Sequence, residues 1–565
     1  MATLVVPGVR VEARFDVLPP LPAQSGIVGV AAIVDRPPTP PRLVGVTKPS
    51  EVREVLGPGT AAAAPEVVHA LANGAQEVVV SPVEGGSPAS VVLNNRDGNP
   101  AVQLRLRANG DFGNTVAADV RAITDAAGEP VRVTLRLLQA GQVVEAFNDL
   151  VVEPGQPGDL FAAVNAQSGF CVAVDPGFAV AAPAPGTYAL PLDGAAVPVP
   201  RQGAVATLFS LLADAGVDPA GLSVRIDVAA ADRIDVRVSR DGALQEEFTR
   251  LTMDPDSDRH LPGVLLASSS LVDVRQANSL AGVARLPAAT TGPVPFAGGS
   301  SPTVNQYRAA IERLADDSRI NVVLAAIEPT RTDATVRQIH QALVAHAVAQ
   351  ADAGAPSIAF GSVTPGEQGD LDRIRDHAAT VRNRRFVLVS PAGAAGAVAG
   401  LVGRLNPEES PTFKGVPLFG VPPATYRESE LNRLLGPTHN ALVVQQRAGR
   451  GVIALRGIDT TGDQISVTRV ADAAIREVKA IAENFIGQLN SADARTALRQ
   501  QIVATFTRME RAGALVTSTD GSDPAFLVDV YSTQLDFAQG IVRIDVAVRP
   551  VRAIDFIYAT IRVKN

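Results

Sequence analysis

Ile320-Asn321-Val322-Val323-Leu324-Ala325-Ala326-Ile327 is an apolar run of strand length, the kind of strand buried on both faces. Residues 335–351 follow with Val336, Ile339, Leu343 and Ala347 at helical spacing. Residues 358–360 are again strand-like. Leu371, Ile374, Ala378 and Val381 mark a second helix face, and residues 386–389 another buried strand. The alternation predicts βαβαβ units on a parallel sheet. Short apolar runs at 27–34, 67–71 and 78–80 predict an earlier piece of the same α/β core.

Between the two pieces the texture is mostly β, and residues 141–173 repeat as 242–274 without gaps. Glu145 matches Glu246, Phe147 matches Phe248, Leu150 matches Leu251, Leu160 matches Leu261 and Ser168 matches Ser269. Upstream, Val133, Leu135 and Leu137 match Ile234, Val236 and Val238. Two copies are too few for a solenoid, so the region reads as two related modules inserted side by side. The Pro/Gly-rich stretch 176–200 separates them, and a second linker spans 286–302. Further on, two amphipathic helices are expected at 470–489 and 498–509, with Ser491 as an N-cap between them.

Both ends of the chain carry strand patterns. Val9, Val11, Ala13 and Phe15 alternate with Arg10, Glu12, Arg14 and Asp16, and Pro19, Pro20 and Pro22 then hold an extended connection. Residues 553–563 form a second β-rich run containing Ile554, Phe556, Tyr558 and Ile561. Such arms suit pairing with neighbouring copies, although termini also supply edge strands to their own fold.

At 565 residues the chain exceeds one hydrophobic core. A formal charge of −8 argues against nucleic-acid binding, which requires a basic face. No run approaches the roughly 18–20 apolar residues of a membrane span. The charged N-terminal stretch is unlike a signal peptide, and Cys171, the single cysteine, has no internal partner. Folding in a reducing cytoplasm is expected, with later release left open.

Catalytic markers are weak. Gly393, Gly396 and Gly400 follow the strand 386–389, the context of a dinucleotide site, but their spacing departs from Gly-x-Gly-x-x-Gly and no acidic residue follows at the expected distance. Glycines so spaced also let helices pack closely. His340 and His346 are six apart, on different helix faces and off the spacing of a zinc pair. His69, His260, His377 and His439 are expected at the surface or in turns. Asp254, Asp256 and Asp258 read as a solvated turn, since the other repeat copy lacks them. No cofactor, metal or catalytic residue is assigned.

Several segments, in order, resemble the contractile tail sheath proteins of bacteriophages and phage-tail-like injection particles: Val6-Pro7-Gly8-Val9-Arg10-Val11-Glu12, Gly110-Asp111-Phe112-Gly113-Asn114, both repeat copies, Ser410-Pro411-Thr412-Phe413-Lys414-Gly415-Val416, and Arg456-Gly457-Ile458-Asp459-Thr460-Thr461-Gly462-Asp463. The chain departs from that family in having no Trp, with Phe112 and Leu455 at two places where one is common. The resemblance implies a non-enzymatic subunit that polymerises into a helical tube around an inner tube and contracts. Its partners would be other copies of itself, the inner tube protein, and baseplate and terminal cap proteins, with no nucleic acid and no direct membrane insertion. It would assemble in the bacterial cytoplasm as part of a phage tail or tail-like particle.

The expected organisation is an N-terminal arm at 1–25, a first core piece at 26–90, inserted modules at 91–180 and 200–285, the main α/β core at 303–550, and a donated strand at 551–565. Val9, Val11, Ala13, Phe15, Ile554, Phe556, Tyr558 and Ile561 would form the intersubunit strand interface. Arg476, Glu477, Lys479 and Glu483 would be an inner-tube contact, a solvated face being the alternative. Two other functions stand beside this one: a dinucleotide-dependent enzyme using residues 393–400, and a surface adhesin built of β modules.

Overall fold

The computed structural model describes residues 26–556, apart from 154–155, 175–181, 204–206, 231–232, 255–256, 258, 277–284 and 437–439. The N-terminal arm, Tyr558, Ile561, His439, Asp256 and Asp258 therefore lie outside the described residues. Two compact units are present, one comprising Ser25–Arg469 with the tail from Arg552, the other containing Val470–Val551.

The larger unit is organised on an eight-stranded sheet, in the order Val44–Val46, Glu77–Pro82, Ile27–Ala32, Val322–Ala325, Ile358–Ser362, Phe386–Ser390, Leu442–Arg447, Gly451–Ala454. The six inner strands pair in parallel, and the outermost strand at each edge pairs antiparallel. Val322–Ala325 lies inside the apolar run 320–327 and is buried throughout. Successive residues feed opposite faces, as a pleated strand demands: Val28, Val30, Val322 and Leu324 enter one hydrophobic cluster, Ile27, Ala31, Val323 and Ala325 the other. Helices Pro65–Ala72 and Ala395–Arg404 cover the first face, and Val304–Arg313, Asp333–Asp352 and Leu371–Thr380 the second. From Ile27–Ala32 the sheet grows in opposite directions, toward Glu77–Pro82 and toward Val322–Ala325, which makes their junction the topological switch point.

Each repeat copy has a four-stranded antiparallel sheet, a helix and a three-stranded sheet. Strands Gln142–Leu150 and Ala243–Leu251, and helices Leu160–Gln167 and Leu261–Ser268, begin and end 101 positions apart, as 150, 160 and 167 against 251, 261 and 268 show. Register follows suit: Leu135 pairs with Phe147 and Leu137 with Glu145, as Val236 pairs with Phe248 and Val238 with Glu246. The second copy, from Gly186–Ala189 to Val272–Gln276, is nested within the first, whose sheet is completed by Val294–Pro295 pairing with Ala117 and Ala118.

His69, His260 and His377 are buried, correcting the surface or turn expectation, and His340 and His346 are buried as well. The reason lies in partners distant in sequence. His340 Nδ1 is 2.9 Å from His377 Nε2, and His377 Nδ1 is 2.7 Å from Glu367 Oε2, whose other oxygen accepts a hydrogen bond from Arg337. Among the described residues no group of three or more such side chains could hold a metal ion, and no helix is long and apolar enough to cross a membrane.

Candidate intersubunit docking surface

In the smaller unit, helix Ile465–Glu483 runs into a turn, and Ser491 Oγ accepts a hydrogen bond from the Ala494 amide to start helix Ala492–Arg511. The first helix stops at Glu483, short of the expected 489. The Asn484 side chain donates to the Ala480 carbonyl, and Gly487 has φ +86°, a left-handed conformation that breaks the helix. Leu489, expected on the buried face, is 86 % exposed, and Ile486 is exposed beside it. Val470, Ala474, Ile481, Leu498, Ile502 and Phe506 form the core together with Val528.

That sheet has two antiparallel strands, Phe526–Tyr531 and Arg543–Val548. Phe526, Val528 and Val530 turn toward the helices, and the Phe526 ring lies 5.5 Å from that of Phe506. The opposite face carries Leu527, exposed, and Asp529 directly across from Asp545. Like charges in that position repel. Among the described residues no third strand joins this ladder, and a two-stranded sheet is marginal by itself. Its connection is well fixed. Arg543 Nε and Nη2 each donate to the Asp536 carboxylate over 2.8 Å, and Thr533 Oγ1 donates to the same group. Arg543 and then Thr533 hold the Asp536 carboxyl well below the usual carboxylate range. Around the connection Leu535, Phe537 and Ile541 are exposed, and a cavity of about 310 Å³ opens beside Phe485, Leu489, Leu498 and Val542.

In the larger unit, residues 552–556 are irregular and gripped through their polar groups. The Gln464 amide both accepts from Ala553 N–H (2.8 Å) and donates to Ala553 C=O (2.9 Å), a side-chain imitation of a strand pair. Arg552 pairs with Asp463 at 2.7 Å. Asp555 accepts from Arg456 Nε at 3.0 Å, and the same guanidinium stands 5.1 Å from the Phe556 ring centroid. Ile554 and Phe556 are left 79 % and 63 % exposed. The sequence reading did not find this grip. Arg456 and Asp463 bound the motif 456–463 and Gln464 follows it directly, so the polar ends of a glycine-rich turn were the available signal.

Of the proposed tube-contact residues, Lys479 and Glu483 are exposed and Arg476 and Glu477 half-buried on helix Ile465–Glu483. Two of the glycines considered for a dinucleotide, Gly396 and Gly400, face protein instead. A Cβ at Gly396 would stand 2.5 Å from the Glu66 carbonyl oxygen, and one at Gly400 would stand 2.2 Å from that of Ala70. They admit helix Pro65–Ala72 to close contact.

The larger unit is thus a doubly wound α/β domain carrying nested β modules, and the smaller one a helix pair with an open two-stranded sheet. Residues 459–564 match the family model of the phage tail sheath C-terminal domain. The match covers this C-terminal segment of the chain. A comparison with curated proteins finds no match. Among solved structures, the chain is similar to the sheath tail protein of Desulfitobacterium hafniense, at 13 % identity and TM-score 0.44 over 92 % of this chain and 93 % of that one. It is similar to the sheath tail protein of Listeria innocua at 10 % identity and TM-score 0.44, over 94 % and 93 %. A third similarity, at 18 % identity and TM-score 0.36 over 48 % and 78 %, is to the helical sheath of the anti-feeding prophage in its contracted state.

Proposed function

We propose that this chain is the structural, non-enzymatic subunit of the contractile sheath of a phage-tail-like particle, polymerising around an inner tube and contracting to drive it through an envelope. The supporting observation is the open ladder in the segment that matches a sheath C-terminal domain. Strands donated by neighbours, residues 9–15 and 553–563, would extend that ladder. Val9, Val11, Ala13 and Phe15 would continue the face of Phe526, Val528 and Val530. Arg10 and Arg14 would then share the face of Asp529 and Asp545 with Glu12 and Asp16, and a register that sets the arginines beside the aspartates would relieve the like-charge pair. Each main-chain bond contributes about 0.5–1.5 kcal/mol net, and a non-closing contact of this kind builds a helix.

In this reading the core formed by 26–90 and 303–550 makes the wall, the modules at 91–180 and 200–285 decorate its exterior, and Arg476, Glu477, Lys479 and Glu483 meet the tube protein. The Gln464, Asp463 and Arg456 grip would set where the donated segment leaves its own subunit. Electron microscopy of the full chain assembled with its tube protein tests the reading. Long hollow polymers are expected, and their loss on removing residues 1–15, with the protein still soluble and folded by circular dichroism. Unchanged polymers after that deletion would overturn the strand linkage.

A further inference from the structure

At the carboxyl ends of the parallel strands, beside the switch point between Ile27–Ala32 and Val322–Ala325, lies a cavity of about 380 Å³. This is the place where doubly wound sheets bind small molecules, and the volume is within the range of ligand pockets. Its walls are mostly apolar, including Ala63, Ile327 and Val363, but two carboxylates line it, Glu66 and Glu328, both more than nine-tenths buried.

Glu328 is half satisfied. Its Oε2 accepts from the Tyr307 hydroxyl at 2.9 Å and stands 3.6 Å from Arg331 Nε, while Oε1 is buried and, among the described residues, has no hydrogen-bond partner. A buried carboxylate oxygen without a donor is costly. The remaining titratable wall group, His340, is kept neutral, its pKa well below the ordinary value through burial and the charge of His377. Burial, and secondarily the charge of Glu328, pushes the Glu66 carboxyl up to about 7. With both carboxylates ionised, the wall holds two negative groups against the one cation of Arg331. Phosphate or carboxylate ligands are disfavoured; a hydrogen-bonding cation with an apolar body is not.

We propose that this cavity binds an alkylammonium group, its three N–H donors directed to Glu66 and Glu328 and its aliphatic stem against Ala63, Ile327 and Val363. A free small amine and the lysine side chain of a polypeptide share that chemistry. The site is independent of the sheath reading above, since it requires no assembly.

Titration calorimetry and thermal melting of the full-length protein with n-butylammonium chloride test it, with sodium chloride at equal ionic strength and n-butanol as controls. Saturable binding is expected, with a rise in melting temperature of about 3 °C at 100 times the dissociation constant. E328Q and, separately, E66Q should each weaken binding about tenfold or more while leaving the melting temperature of the unliganded protein within a few degrees. Capture of the cation should lower the pKa of Glu66, so affinity rises between pH 6 and pH 8. Nα-acetyl-lysine methylamide identifies the source: affinity within about threefold of butylammonium assigns a lysine side chain, and affinity tenfold weaker assigns a free amine. No saturable heat with butylammonium, an equal response to butanol, or undiminished binding in both variants would overturn the proposal.

Discussion

Where the first module begins its helix with Asp159, whose carboxylate accepts from the Ala162 amide, the second places His260, which makes no cap bond. The backbones around these residues are alike. Ala140 and Asp149 have positive φ in one copy, Asp241 and Arg250 in the other, and ladder irregularities recur at Val133/Leu135 and at Ile234/Val236. Both copies also carry one latch. Glu145 accepts from Ser168 Oγ at 2.6 Å and from the Gly169 amide at 2.7 Å; Glu246 accepts from Ser269 Oγ at 2.6 Å and from the Ser270 amide at 2.8 Å. The cores differ. Val133, Leu135, Leu137, Leu104 and Leu106 belong to the same hydrophobic cluster as Ile311, Leu343 and Phe386 of the central domain, whereas Val224, Val236, Leu251 and Leu261 form a cluster of their own. Repetition kept the backbone and its polar latch, while burial was rebuilt around what each copy touches.

The largest expected contrast is in excision. Replacing residues 183–276 by a Gly-Ser linker removes the second core and uncovers the small apolar patch of Val172 and Val174 that packs on Ala267. A soluble protein with its main melting transition lowered by a few degrees is expected. Removing residues 90–174 should give insoluble protein. Each fully buried apolar side chain contributes about 1.5–3 kcal/mol, so losing a handful exceeds a typical total stability of about 5–15 kcal/mol. Equal behaviour of the two deletions would break the contrast.

Leu160 and Leu261 occupy equivalent, fully buried positions. Truncation to Ala should cost each about 3 kcal/mol, but in different transitions by scanning calorimetry. Leu261→Ala should lower a separate second-module transition by about 15 °C, and Leu160→Ala should lower the main transition by much less, because the same free energy is spread over a larger cooperative unit. A single shared transition for both variants would show that the modules unfold together.

The repeat was legible because it was gapless from 141 to 173, and the strand at Val322–Ala325 because it is apolar on both faces. Nesting was hidden. Its signature is the return strand Val294–Pro295, whose two residues carry no periodicity and sat within an apparent linker. The buried histidines were equally invisible, since His340 and His377 are 37 positions apart and neither segment indicates the other. Leu489 misled because apolar spacing continued past the point where Asn484 and Gly487 end the helix. The strand pattern at the ends was readable, but the side-chain grip on residues 552–556 depends on a turn almost a hundred positions away, as the 89 positions between Gln464 and Ala553 show.

A smaller effect should come from the latches. Glu145→Ala and Glu246→Ala each leave a buried serine and a backbone amide without their charged acceptor, at a cost of about 2 kcal/mol. Because the geometry is the same, the two costs should agree within about 0.5 kcal/mol when each is measured by denaturant unfolding of its own transition. A clear inequality would mean that the surrounding core sets the strength of the latch.

The smallest effect is the most discriminating, because it should have opposite signs in the two copies. Burial, and then the charge of Arg105, push His260 down to about 3. The unfolded chain takes up a proton below about 6.5 while the folded module does not, so this contribution is fully present above pH 6.5 and is lost as pH falls toward 3. Between pH 6.5 and 5.5 the second module should lose about 1 kcal/mol. Asp159 is shifted the other way, raised by burial against the Ala162 amide bond. Its contribution is fully present below the unfolded carboxyl pKa and declines as pH rises through the folded value, so acidification does not weaken the first module at this position. Calorimetry at pH 7.0 and 5.5 should therefore show the second-module transition falling relative to the main one. His260→Asp, which supplies the capping carboxylate of the first copy, should abolish that relative fall; if the fall persists in this variant, the acid sensitivity resides elsewhere in the module.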